Sequence, residues 1–184
     1  MTTMTWRLRQ AVNMLKMGGV IAYPTEAVFG VGCDPWDQDA VLDLLAMKQR
    51  CWTKGLILVA SDFNQLQDFI KPVSAELLAK LNATWPGPVT WLLPVREDVP
   101  AWLTGLHDTI AVRVTAHPLT RQLCENFGGA IVSTSANIAG LKPARNVHQV
   151  RWQLPEVDYV LPGALGGADR PSQIRDAKTG KILR

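Results

Sequence analysis

Two hydrophobic periods alternate along the chain, and each change of period marks an element. Trp6, Val12, Leu15 and their neighbours suit an amphipathic first helix, which Gly18-Gly19 ends. The run Val20-Ile21-Ala22-Tyr23 predicts a buried strand. Pro24 stops it, and Thr25-Glu26 open a turn that continues to Gly30 and Gly32. A second helix is expected over residues 37–49, with Ala40, Val41, Leu44, Leu45 and Met47 on its apolar side. Residues 56–60 form another apolar run, 66–70 and 77–81 read as helical turns, and 89–95 and 109–114 read as strands. A helix is expected over 117–127. A short buried strand follows at 130–132, leading directly into Ser133-Thr134-Ser135-Ala136-Asn137, and further short strands are expected near Tyr159 and Ile182. Strands and helices alternate without a low-complexity linker or an internal repeat, which predicts one α/β domain over 1–184.

Composition agrees with that pattern. With 184 residues, 47% apolar and 19% charged, the chain can bury a core and lacks the signature of disorder. Its formal charge of +3 is too small to mark a nucleic-acid binder. From Lys142 to Arg184, however, eight basic residues stand against four acidic ones, fitting either a solvated surface or a phosphate-facing patch. Cys33, Cys51 and Cys124 are odd in number and widely spaced, which argues against a disulfide framework or a zinc site. Arg7, Arg9, Gln10, Asn13 and Lys16 interrupt any signal-like apolar stretch, and no run is long enough to span a bilayer. The expected location is the cytoplasm, with no membrane partner.

In open α/β sheets ligands collect where strands end in polar loops, and three such loops stand out. Tyr23-Pro24-Thr25-Glu26 places a hydroxyl and a carboxylate after a buried strand, although a turn with capping residues reads the same way. Lys48-Gln49-Arg50, with Lys54 close behind, gathers the cations that a triphosphate needs, or else complements a helix C-terminus. Ser133-Thr134-Ser135-Ala136-Asn137 supplies small donors and acceptors able to orient a carboxylate, phosphate or ribose. Arg113 interrupts an apolar strand and must face solvent, pair or bind an anion. Trp85-Pro86-Gly87-Pro88 predicts a rigid turn beside a pocket. The phosphate-loop, dinucleotide and nucleophile-elbow signatures are all missing. His107, His117 and His148 show no metal-ligand spacing and are expected to be solvated or to cap helices.

Taken in order, YPTEAVFGVG at 23–32, KQR at 48–50, WPGPVT at 85–90, AVRVTAHP at 111–118 and STSAN at 133–137 resemble the TsaC/YrdC family. The likeness extends to the PSQIRD segment at 171–176. It implies a YrdC-like fold, a twisted mixed α/β sheet with flanking helices around a concave basic cavity. It further implies an ATP-dependent nucleotidyltransferase, a threonylcarbamoyl-AMP synthase that joins L-threonine, bicarbonate and ATP and releases pyrophosphate. The product would serve threonylcarbamoyl modification of the adenosine beside the anticodon in tRNAs reading codons that start with A, through other pathway proteins. By the resemblance, Thr25, Arg113 and Ser133 hold threonine, and Lys48, Arg50, Lys54, Ser135, Asn137, Arg145 and Ser172 face the nucleotide. Mg²⁺ accompanies ATP, and neither a protein-bound metal nor a covalent nucleophile is expected.

Cys51, Lys54-Gly55 and Ala139-Gly140 depart from the family pattern, where Pro, Asn-Pro and Ser-Gly are common. The chain ending at Arg184 looks like the minimal bacterial form without a further C-terminal domain. Two other functions remain open at this point. One is a non-enzymatic module that binds structured RNA through phosphate contacts and acts in RNA maturation, against which the lack of an aromatic-rich platform counts; direct tRNA or double-stranded RNA binding is a separate partner expectation. The other is a hydrogenase-maturing carbamoyltransferase, whose chains are much longer.

Overall fold

The computed structural model describes residues 5–183, so residues 1–4 of the expected domain, and Arg184 of the basic segment, lie outside the described residues. Helix α1 (Trp6–Lys16) starts where the Thr5 hydroxyl accepts the Leu8 N–H at 3.3 Å. Its buried residues Leu8, Ala11, Val12 and Leu15 follow the i, i+3, i+4, i+7 spacing of one helical face. Trp6, grouped with that face in the sequence, lies off it and is 68% exposed. Gly18, at φ 79°, turns the chain out of the helix.

Strand β1 (Ile21–Pro24) pairs antiparallel with β2 (Phe29–Gly32). The sequence pattern read 25–32 as one turn, but only the four residues between the strands form it. Gly30 and Gly32 hide a buried strand, because glycine weakens strand propensity while permitting close approach. A Cβ at Gly32 would overlap the Val132 carbonyl oxygen. The chain continues through α2 (Gln38–Met47), β3 (Ile57–Ala60), α3 (Ala75–Asn82), β4 (Val89–Pro94), α4 (Ala101–Thr104), β5 (Thr109–Val114), α5 (Pro118–Phe127), β6 (Ile131–Ser135), α6 (Val147–Gln153), β7 (Tyr159–Val160) and β8 (Gln173–Asp176). The helical turns expected at 66–70 are a short 3-10 turn at Phe63–Leu66, after which Ile70 bridges Val95. Ile182 makes a single bridge to Arg175.

The strands form one eight-stranded mixed sheet in the order β7-β1-β2-β6-β3-β5-β4-β8. Strand alternation distributes the core to both faces. Ile21, Tyr23, Val59 and Ile131 meet α1 and α5 on one face, while Ala22, Leu58, Ala60 and Val132 meet Val41, Leu44 and the larger cluster on the other. Burying each of these leucines and isoleucines stabilises the fold by about 1.5–3 kcal/mol. On the α1/α5 face the apolar cover stops at the row Ile131–Val59. The next positions along the same strands, Ser133, Ile57 and Ala111, are neighbours by register and remain open. The functional site lies on this exposed part of the sheet.

Crossing this face is the segment 161–172. It joins β7 to β8, which lie at opposite edges of the sheet. Seven interstrand spacings amount to roughly 34 Å, against an extended reach of about 40 Å for that many residues, so the segment must run nearly straight. Gly166 N–H donates to the Thr25 carbonyl (3.0 Å) and Ala168 N–H to the Glu26 carbonyl (2.9 Å), fastening this strap to the turn after β1.

Candidate active site

A cavity of about 480 Å³ opens over the uncovered row. Its floor is Gly30, Ile57, Leu92, Ala111, Arg113, Ser133 and Ser135. Its walls are the 25–28 turn with Phe29, Arg50 with Lys54 to Leu56, Leu103, Thr104 and His107, Pro88, Pro143 and the strap end Arg170-Pro171-Ser172. Among the described lining residues Glu26 is the one carboxylate, while Arg50, Lys54, Arg113 and Arg170 carry positive charge. A cavity with that balance favours anionic ligands.

Arg113 reaches the floor because β5 alternates: Thr109, Ala111 and Arg113 share the open face. It is buried, and its Nη2 lies 3.4 Å from Glu26 Oε2. The other oxygen, Glu26 Oε1, accepts from the Thr115 hydroxyl (2.6 Å) and the Ala116 N–H (3.1 Å). Burial pushes the Glu26 carboxyl up. Arg113 and these hydrogen bonds outweigh that and hold it below the usual carboxylate range. Arg113 therefore combines two of the options its sequence position left open: it pairs, and it faces an anion-accepting cavity. Its Nε, also buried, has no protein acceptor.

Thr25 is held by its hydroxyl donating to the Val28 carbonyl at 2.7 Å, which leaves the methyl side toward Gly30. A Cβ at Gly30 would stand 3.1 Å from that methyl and 3.5 Å from Ser133 Oγ, so glycine keeps the floor between them open. Ser133 and Ser135 come from β6, which extends further than the expected 130–132 strand and carries the first three residues of the STSAN segment inside the sheet. Tyr23, beneath them, donates its hydroxyl to the Val132 carbonyl at 3.1 Å, and burial raises its phenol far above the ordinary range.

The KQR segment divides. Gln49 adopts a left-handed φ of 50°, and Arg50 N–H closes back on the Leu45 carbonyl. Lys48 and Arg50 consequently leave the helix end in different directions. Arg50 lines the cavity and donates to the Gly55 carbonyl at 2.9 Å, with Lys54 beside it. Lys48 does not line the cavity. It is buried, with Nζ donating to the carbonyls of Ser135 and Asn137, the latter at 2.7 Å. Burial, and then the charge of Arg50, lower its ammonium to about 8. Asn137 also stays behind the wall: it accepts from the Ser135 hydroxyl (2.6 Å) and donates to the carbonyls of Ile138 and Leu141. Arg145 is exposed outside the cavity, its N–H donating to Gln149. Ser172 lines the cavity and accepts from the Thr90 hydroxyl at 3.0 Å.

Three titratable lining residues carry no site role in the sequence reading: Glu26 is the carboxylate of a candidate loop that reads equally as a turn, His107 is expected to be solvated or to cap a helix and is exposed, and Arg170 has no marker beyond local basicity. Only the order of strands across the sheet brings these three together. His117 caps α5, accepting the Thr120 N–H on Nδ1, and its Nε2 lies 3.0 Å from the Ala164 carbonyl. Pro88, after the Trp85-Pro86 cis bond, supplies a short stretch of wall. Among the described residues no group of three or more His, Cys, Asp or Glu is placed to hold a metal ion. No helix there is long and apolar enough to cross a membrane.

A mixed sheet whose open face carries small hydroxyls, a buried arginine and a cationic wall defines an α/β protein with a cavity suited to anionic small molecules. The Sua5/YciO/YrdC family model, described as telomere recombination, matches residues 13–184, and the chain belongs to that family. It is 54% identical over 180 residues to a threonylcarbamoyl-AMP synthase of Nitrosococcus oceani, covering 97% of both chains. It is 52% identical, with the same coverage, to the protein of that name in Methylococcus capsulatus. The crystal structure of P. abyssi Sua5 complexed with L-threonine superposes with a TM-score of 0.90 at 31% identity. That match covers 97% of this chain and 54% of Sua5, so the chain spans about half of that protein's length.

Proposed function

We propose that the chain is a threonylcarbamoyl-AMP synthase, an ATP-dependent nucleotidyltransferase acting in tRNA modification in the cytoplasm. The carrying observation is one cavity lined by small hydroxyls, a buried arginine and further cations, in a chain similar over 97% of its length to enzymes of that name. Thr25, Ser133 and Arg113 form the end suited to a small amino acid, with the guanidinium facing its carboxylate. Arg50, Lys54, Arg170 and the hydroxyls of Ser135 and Ser172 form the end suited to nucleotide phosphates. Lys48 and Asn137 act from behind, holding the end of β6 that presents Ser135.

The threonine amine takes up bicarbonate with loss of water to give a carbamate. A carbamate oxygen then attacks the α-phosphorus of ATP, and pyrophosphate leaves with the electrons of the broken P–O bond. Mg²⁺ arrives with ATP as part of the substrate and offsets phosphate charge. The protein contributes approach geometry and fixed positive charge, and none of its side chains needs to form a bond to substrate. Other proteins would carry the threonylcarbamoyl group to tRNA. The test is pyrophosphate release with threonine, bicarbonate and MgATP, each omitted in turn. Release is expected only with all three present, and release that persists without threonine refutes the proposal.

A further inference from the structure

We propose that Glu26 is a positioning residue for the reaction: it sets the direction in which Arg113 presents its guanidinium, and it links that guanidinium to the strap closing the cavity. The inference rests on the reading of Arg113 as the threonine carboxylate ligand.

The contact between the two side chains is one-sided. Glu26 Oε2 stands 3.4 Å from Nη2 of Arg113 without making a hydrogen bond to it, whereas a gripping carboxylate would engage two donors of the fork at hydrogen-bond distance. The buried Arg113 Nε is left without a protein acceptor on a residue that faces the cavity. Such an arrangement restrains the group without saturating it, on a side chain that lines the cavity. A carboxylate placed merely to neutralise a buried charge would instead saturate the fork.

Glu26 is fixed in turn by the chain just beyond the strand that carries its partner. Thr115 and Ala116, which donate to Oε1 at 2.6 and 3.1 Å, follow Arg113 by two and three residues. The geometry of β5 thereby sets the distance between anion and cation. On its other side Glu26 is tied to the strap, its carbonyl accepting the Ala168 N–H, with Gly166 packed so closely that a Cβ would stand 2.9 Å from Glu26 Cα. Displacing the strap moves the Glu26 backbone, and the carboxylate transmits this to Arg113.

The experiment measures kcat and the separate KM values for threonine and ATP by pyrophosphate release in Glu26→Gln, Glu26→Asp, Thr115→Val, Arg113→Ala and Glu26→Gln/Arg113→Ala. Glu26→Gln is expected to raise the threonine KM about 10- to 100-fold, the range that misplacement of a binding group produces, with kcat and the ATP KM within about threefold. Glu26→Asp restores part of the loss. Thr115→Val, which removes one anchor of the carboxylate and keeps its charge, gives a smaller rise in the same KM and serves if Glu26→Gln does not fold. The double variant should be no worse than Arg113→Ala, because Glu26 acts only through that side chain. An unchanged threonine KM in both Glu26→Gln and Thr115→Val, an ATP KM rising in step, or multiplicative effects in the double variant would each overturn the proposal. Arg113→Ala separates the two levels. If it leaves the threonine KM unchanged, the assignment of Arg113 falls and the proposal falls with it. If it raises that KM while Glu26→Gln does not, only the Glu26 proposal falls.

Discussion

Replacing Gly166 by alanine tests whether the strap is a wall of the site held by two backbone hydrogen bonds. The added Cβ would lie 2.9 Å from Glu26 Cα and 3.3 Å from the His117 ring, and neither the backbone atom nor the capping imidazole can swing aside. Overpacking of this kind costs about 1–3 kcal/mol. The bonds Gly166 N–H to Thr25 and Ala168 N–H to Glu26 contribute about 0.5–1.5 kcal/mol each, so their sum is of the same size. The lower unfolded-state entropy of alanine gains back at most about 1 kcal/mol. The strap therefore opens locally while the core keeps its packing. Hydrogen exchange at the Ala168 amide is the direct assay. At about 1.4 kcal/mol per factor of ten, its protection should fall roughly 10-fold and up to about 100-fold. The melting temperature should shift by only a few degrees. The ATP KM should rise at least threefold, because Arg170 and Ser172 at the strap end line the cavity. Protection at Ala168 within twofold of the parent protein would refute the reasoning, since the strap would then accommodate a methyl group without opening.

Arg50→Ala should raise the ATP KM at least tenfold with a melting temperature near that of the parent, and Arg50→Lys should recover only part, because a lysine cannot hold Gly55 and phosphate together; an unchanged ATP KM in both variants removes Arg50 from the nucleotide site. Lys48, lowered to about 8, should give kcat/KM for ATP a descending limb above about pH 8, as its neutral amine loosens the carbonyls of Ser135 and Asn137. The sign for stability is opposite: a lysine whose folded-state value is depressed gives up its proton first in the native state, so its contribution to stability grows between about pH 8 and the ordinary lysine range. The limb should vanish in Lys48→Met, and its persistence there would assign it to another group.

The elements most legible in the sequence were those whose cues are local. The period that includes Val12 and Leu15, the apolar side Ala40, Val41, Leu44 and Leu45, and the apolar run ending at Ala60 each fix an element within a few residues. Strand β2 was hidden because Gly30 and Gly32 are chosen for what they approach, Thr25 with Ser133 in one case and the Val132 carbonyl in the other, and strand propensity carries no such information. β8 was hidden similarly: it is polar and half-buried, and it is paired along its length with β4 and by one bridge with Ile182. The site shows the same division. Thr25 and Ser133 could be marked from residue type and position after an expected strand, Arg50 from its place at a helix exit, and Arg113 as a charge inside an apolar strand. Whether Lys48 or Arg50 faced the ligand depended on the left-handed turn at Gln49, a conformation that glutamine rarely adopts and its neighbours do not announce.

Glu26 gives this division its functional meaning. In sequence it is one more polar residue in a turn, yet it is separated from Thr115 by 89 positions and from Ala168 by far more, and both meet it in the fold. Each contact exists because β1 and β5 lie in one sheet while the connection from β7 to β8 must cross the open face between its two edges. That crossing is imposed by topology, and the strap would be present whatever its sequence. What the sequence adds is a glycine at 166, small enough to let the strap settle on the Glu26 backbone, and an acid at 26 whose side chain reaches the arginine of the floor. A change at either position should therefore register at the other, and the protection of the Ala168 amide in Glu26→Gln is the quantity in which that coupling would first be seen.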